Sequence, residues 1–172
     1  EFSFFVRESK RRVIIDSCIL ATEKINEVAK QILLLLRKGK YSSYNLKSLV
    51  LRESDQGIIA SLFIKDRIEV EIDFSSIDNL FLFEIHFSDH RAPVSRSDEL
   101  LFSSHNLTPT YTVLNKRLSF SSQSFTQVNI PLFEEVLTYI REYVEANNLV
   151  DHKIFDIYCG VGSIGLSIIS NT

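Results

Sequence analysis

The sequence has no methionine and no tryptophan, and only two cysteines, three prolines and five glycines in 172 residues. A natural chain starts with methionine, whereas this one starts Glu1-Phe2-Ser3 in what already reads as a strand. It is therefore expected to be an internal piece of a longer protein. Cys18 and Cys159 are too distant in sequence to suggest a disulfide framework. No apolar run approaches the roughly 18 residues of a membrane span, and the N-terminus lacks a signal-peptide pattern, so a cytoplasmic protein without membrane contact is expected. His86, His90, His105 and His152 lack paired metal-ligand spacing, and no metal is assigned to them. The net charge of −3 gives no global attraction to nucleic acid.

What is present suffices for a core. Hydrophobic residues make up 45% of the chain, whose length suits one domain, or one small domain with part of another. Residues 2–6 and 13–16 read as strands of a hairpin with a basic tip, Lys10-Arg11-Arg12. Arg37-Lys38 with Lys40, and Lys116-Arg117, are further basic clusters, each of which alone reads as a solvated turn or helix end. Thr22 is a plausible N-cap for a helix reaching about Arg37, with Ile25, Val28, Ala29, Ile32, Leu35 and Leu36 on one face, and Gly39 ends it. Residues 47–52 and 58–64 read as antiparallel strands around an Asp-Gln-Gly turn. Residues 68–74 alternate apolar with acidic residues, which favours a strand and leaves a helix as the alternative, and residues 80–87 are the most strand-like run. A polar, looping stretch over 88–110 contains a short strand near 99–102, and a hairpin over 111–120 turns at Asn115-Lys116. After it, Pro131 opens an amphipathic helix running to Ala146.

The last twenty residues carry the chemistry. Lys153-Ile154-Phe155-Asp156-Ile157-Tyr158 reads as a buried strand, Cys159-Gly160-Val161-Gly162 as a turn, and Ile164 to Thr172 as the start of a helix. Closely spaced glycines let the backbone bend and approach a ligand, while the following helix aims its free N–H groups at the same point. Gly160-x-Gly162-x-x-Gly165 also satisfies the dinucleotide fingerprint, but that reading requires a ribose-binding acidic residue about 20 positions further on, past Thr172. Asp156, at the strand end, would repel a pyrophosphate but can accept hydrogen bonds from a cationic amino-acid group. S-adenosylmethionine carries such a group and no phosphate. Gln127 offers both a donor and an acceptor, for the cofactor's amino-acid end, for a base edge, or for capping the backbone before Pro131. Tyr158 can stack on a cofactor or simply pack.

Two segments in this order, Leu118-Ser119-Phe120-Ser121-Ser122-Gln123-Ser124-Phe125-Thr126-Gln127-Val128-Asn129 and Asp156-Ile157-Tyr158-Cys159-Gly160-Val161-Gly162, resemble the RNA uracil-5-methyltransferase family. Upstream, Val13-Ile14-Ile15-Asp16-Ser17-Cys18 resembles the opening of that family's central domain, with Ile19 where the family commonly has proline. The resemblance implies methyl transfer from S-adenosylmethionine to C5 of a uridine in tRNA or rRNA, with RNA as partner. It implies that Gln127 and Tyr158 contact the methyl donor, that Gly160 and Gly162 shape its pocket, and that Ser163 stands where the family often has Asn or Thr. The attacking cysteine and the base would lie beyond Thr172, leaving Cys159 without a catalytic role and the chain alone inactive. In some members the equivalent of Cys18 is the fourth ligand of a 4Fe-4S cluster; otherwise Cys18 is a small residue at a strand end. The expected architecture is an α+β central domain over 1–118, followed over 119–172 by the first part of a Rossmann-like α/β methyltransferase domain. A complete domain of that kind takes on the order of 100 further residues. The alternatives are a methyltransferase of the same fold with another substrate, and a non-catalytic RNA-binding module.

Overall fold

The computed structural model describes residues 1–9, 11–39, 41–92, 94–150 and 152–168. Lys10 and Lys40 of the basic clusters, Pro93, and the end of the expected last helix from residue 169 lie outside the described residues. The chain divides into two compact units, one made of Glu1–Arg52 with Gly57–His105 and the other of Glu53–Gln56 with Asn106–Thr172.

In the first unit, β1 (Phe2–Phe5) pairs antiparallel with β2 (Arg12–Ile15), with Phe2 opposite Ile15 and Phe5 opposite Arg12. Helix α1 (Glu23–Lys38) begins where the Thr22 hydroxyl accepts the Ile25 N–H, and it ends at Gly39, whose N–H reaches the Leu35 carbonyl. Glu23 in its first turn and Arg37 and Lys38 in its last oppose the helix dipole. Val28, Ile32 and Leu36, each one turn apart, are buried.

They pack against a four-stranded mixed sheet in the order β3 (Leu46–Ser54), β4 (Gly57–Ile64), β5 (Leu80–Phe87), β6 (Glu99–Ser103). The two-residue link Asp55-Gln56 is too short for any but antiparallel pairing of β3 with β4. β4 runs parallel to β5, and β5 antiparallel to β6. β4 is buried along almost its whole length, which explains its unbroken apolar run. Ile58, Ala60, Leu62 and Ile64 join α1 and Phe83, Ile85, Phe74 and Ile77 in one core. Each fully buried Ile, Leu or Phe there contributes roughly 1.5–3 kcal/mol relative to exposure.

Parallel pairing of β4 and β5 requires a crossover, and residues 65–79 supply it without a helix. Within it, residues 68–74 alternate as the sequence suggests, with Ile68, Val70 and Ile72 packed on the core and the acidic residues outward, yet they form no strand. No neighbouring strand pairs with them among the described residues. Instead the Tyr41 hydroxyl accepts the Glu71 N–H at 2.9 Å and lies 3.4 Å from the Glu69 carbonyl, standing in for a ladder.

In the second unit, β7 (Thr110–Val113) pairs antiparallel with β8 (Lys116–Ser119). The turn falls at Leu114-Asn115, one residue before the expected Asn115-Lys116, and both turn residues take positive φ (44° and 62°), as a two-residue type I′ hairpin requires. Asp55 is fastened to this hairpin: its carboxylate accepts the Thr112 N–H at 3.0 Å and the hydroxyls of Thr110 and Thr112. Helix α2 (Ile130–Ala146) begins with the Asn129 side chain accepting the Leu132 N–H at 3.1 Å and with Pro131 in its first turn. Glu134 accepts the Leu114 N–H at 2.7 Å, which binds α2 to the hairpin turn. Phe133 and Leu137 are buried with Tyr111, Val113, Leu118 and Phe120. A six-residue helix, α3 (Ser163–Ile168), closes the described chain.

Residues 153–158 do not form the expected buried strand. They run as irregular backbone, with Phe155 82% and Ile157 78% exposed. A parallel strand is built by ladders to its neighbours, and none of the described residues offers one here.

Candidate cofactor-binding turn

The site begins where β8 ends. Leu118 and Phe120 are buried, and the chain then doubles back in a serine turn in which the Ser124 N–H reaches the Ser121 carbonyl and the two hydroxyls meet at 2.9 Å. Past it, Phe125 and Val128 are exposed, and so is Gln127, whose side-chain amide forms no hydrogen bond among the described residues. The sequence left open a capping role for Gln127 before Pro131. Here Asn129 supplies that cap, so the Gln127 amide is free for another partner.

After α2, the Asn147 N–H closes on the Tyr143 carbonyl and Asn148 turns the chain with φ 54°. Residues 152–157 then lead into the turn. Tyr158, Gly160 and Gly162 all have positive φ, at 63°, 57° and 78°. For Gly160 a side chain would meet nothing within 4 Å, so open space lies over it. At Gly162 a Cβ would stand 3.1 Å from Leu166 Cδ1. Tyr158 pays the cost of left-handed backbone without glycine's freedom, and its ring is wholly exposed at 102%. The Gly162 N–H donates to the Cys159 carbonyl at 2.8 Å, and the Leu166 N–H to the Gly162 carbonyl at 2.9 Å, which starts α3.

Asp156 governs this geometry. Its Oδ2 accepts the Gly165 N–H at 2.9 Å, so one carboxylate oxygen reaches over the turn to the helix that follows it. Gly165 lacks a side chain for a visible reason: a Cβ there would stand 3.0 Å from that same oxygen. Asp156 Oδ1 has no hydrogen-bond partner among the described residues, and Asp156 is half-buried. The structure thus brings together Asp156, Gly160, Gly162, Ser163 and Gly165 in one turn. The capping role of Asp156 is invisible in sequence, although the nine-residue spacing to Gly165 is its trace.

Other residues weighed in the sequence have structural places. The Cys159 Sγ is exposed, 3.8 Å from the carbonyl of its own neighbour Gly160. Cys18 is held through its backbone, its N–H donating to Asn26 Oδ1 at 2.7 Å and its carbonyl accepting from Asn26 Nδ2 at 3.0 Å. His86 is buried between Ser97 Oγ at 2.8 Å and Glu84 Oε2 at 3.1 Å and stacks on Phe63, while His105 Nε2 meets the Phe81 carbonyl. Among the described residues no group of three His, Cys, Asp or Glu is placed to hold a metal ion. Two cysteines cannot supply the four thiolates of a 4Fe-4S cluster, so this chain does not by itself fit one. A shallow groove of about 450 Å³ along α2, lined by Leu114, Pro131, Glu134, Glu135, Thr138, Tyr139 and Glu142, includes none of the turn residues. No helix among the described residues is long and apolar enough to cross a membrane.

The sequence profile of the family described as tRNA (Uracil-5-)-methyltransferase matches residues 1–172. The chain belongs to that family. Within the tRNA (uracil-5-)-methyltransferase family, it is 24% identical over 176 residues to the 23S rRNA (uracil(1939)-C(5))-methyltransferase RlmD of Haemophilus parainfluenzae, covering 98% of this chain and 36% of that protein. Against RlmD of Aeromonas hydrophila it is 24% identical over 169 residues, covering 94% and 35%. The chain thus spans about a third of the length of these relatives. The crystal structure of Pyrococcus abyssi tRNA (uracil-54, C5)-methyltransferase in complex with S-adenosyl-L-homocysteine superposes with a TM-score of 0.77 at 19% identity, over 92% of this chain and 41% of that one. The fold is accordingly an α+β domain followed by the opening part of a Rossmann-like methyltransferase domain.

Proposed function

We propose that this chain is part of an RNA methyltransferase that moves a methyl group from S-adenosylmethionine to C5 of a uridine in tRNA or rRNA. The observation that carries the reading is the family match over residues 1–172; the glycine corner held by Asp156 and Gly165 is the proposed donor turn. The proposed boundary is the one read from the sequence, a central domain over 1–118 and a methyltransferase domain from 119, whereas the compact units divide between His105 and Asn106, which groups β7 and β8 with α2.

Bound here, S-adenosylmethionine supplies the methyl group. The chain's own residues would bind and orient it. Gly160 leaves the open space a ligand needs to approach the backbone, and Gly162 keeps the turn tight. Asp156 holds the turn through Oδ2 and keeps Oδ1 for a cationic amino group. Gln127, whose amide is free, the exposed Tyr158 ring and Ser163 would be the remaining donor contacts. Methylation at uracil C5 needs a thiolate at C6 and a base for the C5 proton, and both are assigned to residues outside this chain. Cys159 is left out of the chemistry, and the chain alone is inactive. A 4Fe-4S cluster, if the full-length protein has one, would take Cys18 as a single ligand among four.

The test uses the full-length protein with transcribed tRNA and rRNA and labelled S-adenosylmethionine, followed by digestion and nucleoside analysis. Labelled 5-methyluridine that disappears in Gln127→Ala is the expected result. Label in another nucleoside would point to a different substrate on the same fold. RNA binding with no label transferred to any RNA would leave only a binding module.

A further inference from the structure

The β1–β2 ribbon carries chemistry that the donor turn does not use. In its register Phe5 lies opposite Arg12 and Ser3 opposite Ile14, so these four share one face. That face is open: Phe5 is 66% and Ile14 60% exposed, and the ribbon contributes nothing to the buried core. The Arg12 guanidinium lies over the Phe5 ring, 5.1 Å from its centroid. The connecting tip holds Arg7 and Arg11, both exposed, and the run from Arg7 to Arg12 carries four basic residues against the single acid Glu8, in a chain whose net charge is −3. Arg7 is tied to Glu8 only by a 3.4 Å pair with both side chains more than 80% exposed, which water and salt screen.

We infer that this face is a stacking platform for an unpaired base of single-stranded RNA, the base taking the Phe5 face that Arg12 now covers, with Arg12 swinging to the adjoining phosphate and Arg7 and Arg11 following the backbone. An apolar protein partner would also cover Phe5 and Ile14. The positive tip and the cation already seated on the ring favour a polyanion with aromatic faces, which is what an unstacked RNA strand offers. The inference rests on RNA being the substrate class proposed above, and it adds where a strand near the target is gripped.

The test is fluorescence anisotropy on the full-length protein with a 12-residue oligouridine and a duplex of equal length. Phe5→Ala should weaken oligouridine binding roughly tenfold, with duplex binding little changed, and Phe5→Tyr should retain it. Arg7→Gln and Arg11→Gln should each lower the slope of log affinity against log salt by about 0.7. Photocrosslinking of 4-thiouridine oligomers to the unmodified protein guards against a misfolded variant, and adducts should map to residues 2–15. Unchanged oligouridine affinity in a folded Phe5→Ala protein, or adducts confined elsewhere, overturns the platform. So does a change of oligomeric state in place of RNA affinity, which would make the face a protein contact. Methyl transfer measured on the same preparations separates the two readings: tenfold weaker oligouridine binding with no 5-methyluridine from any variant keeps the platform and removes the proposed activity.

Discussion

Asp156 and Gly165 define each other: the carboxylate Oδ2 accepts the Gly165 N–H at 2.9 Å, and the absence of a side chain at 165 leaves the room it needs. Gly165→Ala would set a Cβ 3.0 Å from that oxygen and force Asp156 out of place. Asp156→Asn keeps an acceptor and should preserve the turn, whereas Asp156→Ala leaves the N–H without its partner, at about 1 kcal/mol. Hydrogen exchange at the Gly165 amide should accelerate in Asp156→Ala and Gly165→Ala but not in Asp156→Asn. If S-adenosylhomocysteine affinity falls in Asp156→Asn with that amide still protected, the carboxylate charge itself serves the ligand.

Gly160 and Gly162 separate a backbone need from a ligand need. Both sit at positive φ, where an alanine costs about 1 kcal/mol, but only Gly160 faces open space. Asparagine tolerates left-handed backbone, so Gly160→Asn should leave the melting temperature within about 2 °C. The same variant should bind S-adenosylhomocysteine at least tenfold more weakly by calorimetry, because its side chain fills the space kept open for the donor. Undiminished binding would show that the ligand does not pass over Gly160. Gly162→Ala should lose stability as well, since Leu166 Cδ1 must move.

Much of this was legible in the sequence, and the failures have a common cause. Helix α1 announced itself through Thr22, the Val28-Ile32-Leu36 stripe and Gly39, all local signals. Residues 68–74 and 153–158 read as strands because side-chain alternation and β-propensity are properties of a segment, while a strand is a property of its neighbours. The first found Tyr41 in place of a neighbouring strand, and the second has none among the described residues. At the site, the glycine spacing and Asp156 could be read directly. That Asp156 reaches Gly165, and that Asn129 takes the cap and so leaves Gln127 free, is set by the three-dimensional fold, because both depend on which of several nearby polar groups wins.

Asn26 is a test of how Cys18 is positioned. Its side chain receives the Cys18 N–H at 2.7 Å and donates to the Cys18 carbonyl at 3.0 Å, closing the segment 18–22 onto the first turn of α1. Asn26→Ala removes both bonds and should lower stability by about 1–2 kcal/mol in urea denaturation. In a Cys159→Ser background the remaining thiol should then react several-fold faster with a disulfide reagent, as its backbone is released. Asn26→Asp keeps the acceptor and should fall between the two. Equal thiol reactivity in all three proteins would mean that Asn26 serves the helix alone.

The loop over residues 88–98 should loosen in acid through Asp98. The Asp89 N–H donates to Asp98 Oδ2 at 2.8 Å, and Arg96 Nε to Oδ1 at 2.9 Å, while Lys47 Nζ lies within 3.2 Å of Ser88 Oγ and of the carbonyls of Asp89, Ala92 and Val94. The Asp89 amide, more than the nearby Arg96 and Lys47 charges, holds the Asp98 carboxyl below the ordinary aspartate range against the opposing effect of burial. A carboxyl depressed on folding stabilises the folded loop above its unfolded value, near pH 4, and that contribution is lost as pH falls through the lower folded value. Exchange protection at the Asp89 amide should therefore hold down to about pH 4 and decline below it. Asp98→Asn should lower that protection at neutral pH and flatten its acid dependence. A profile unchanged by Asp98→Asn would show that the Asp98 carboxylate does not hold the Asp89 amide.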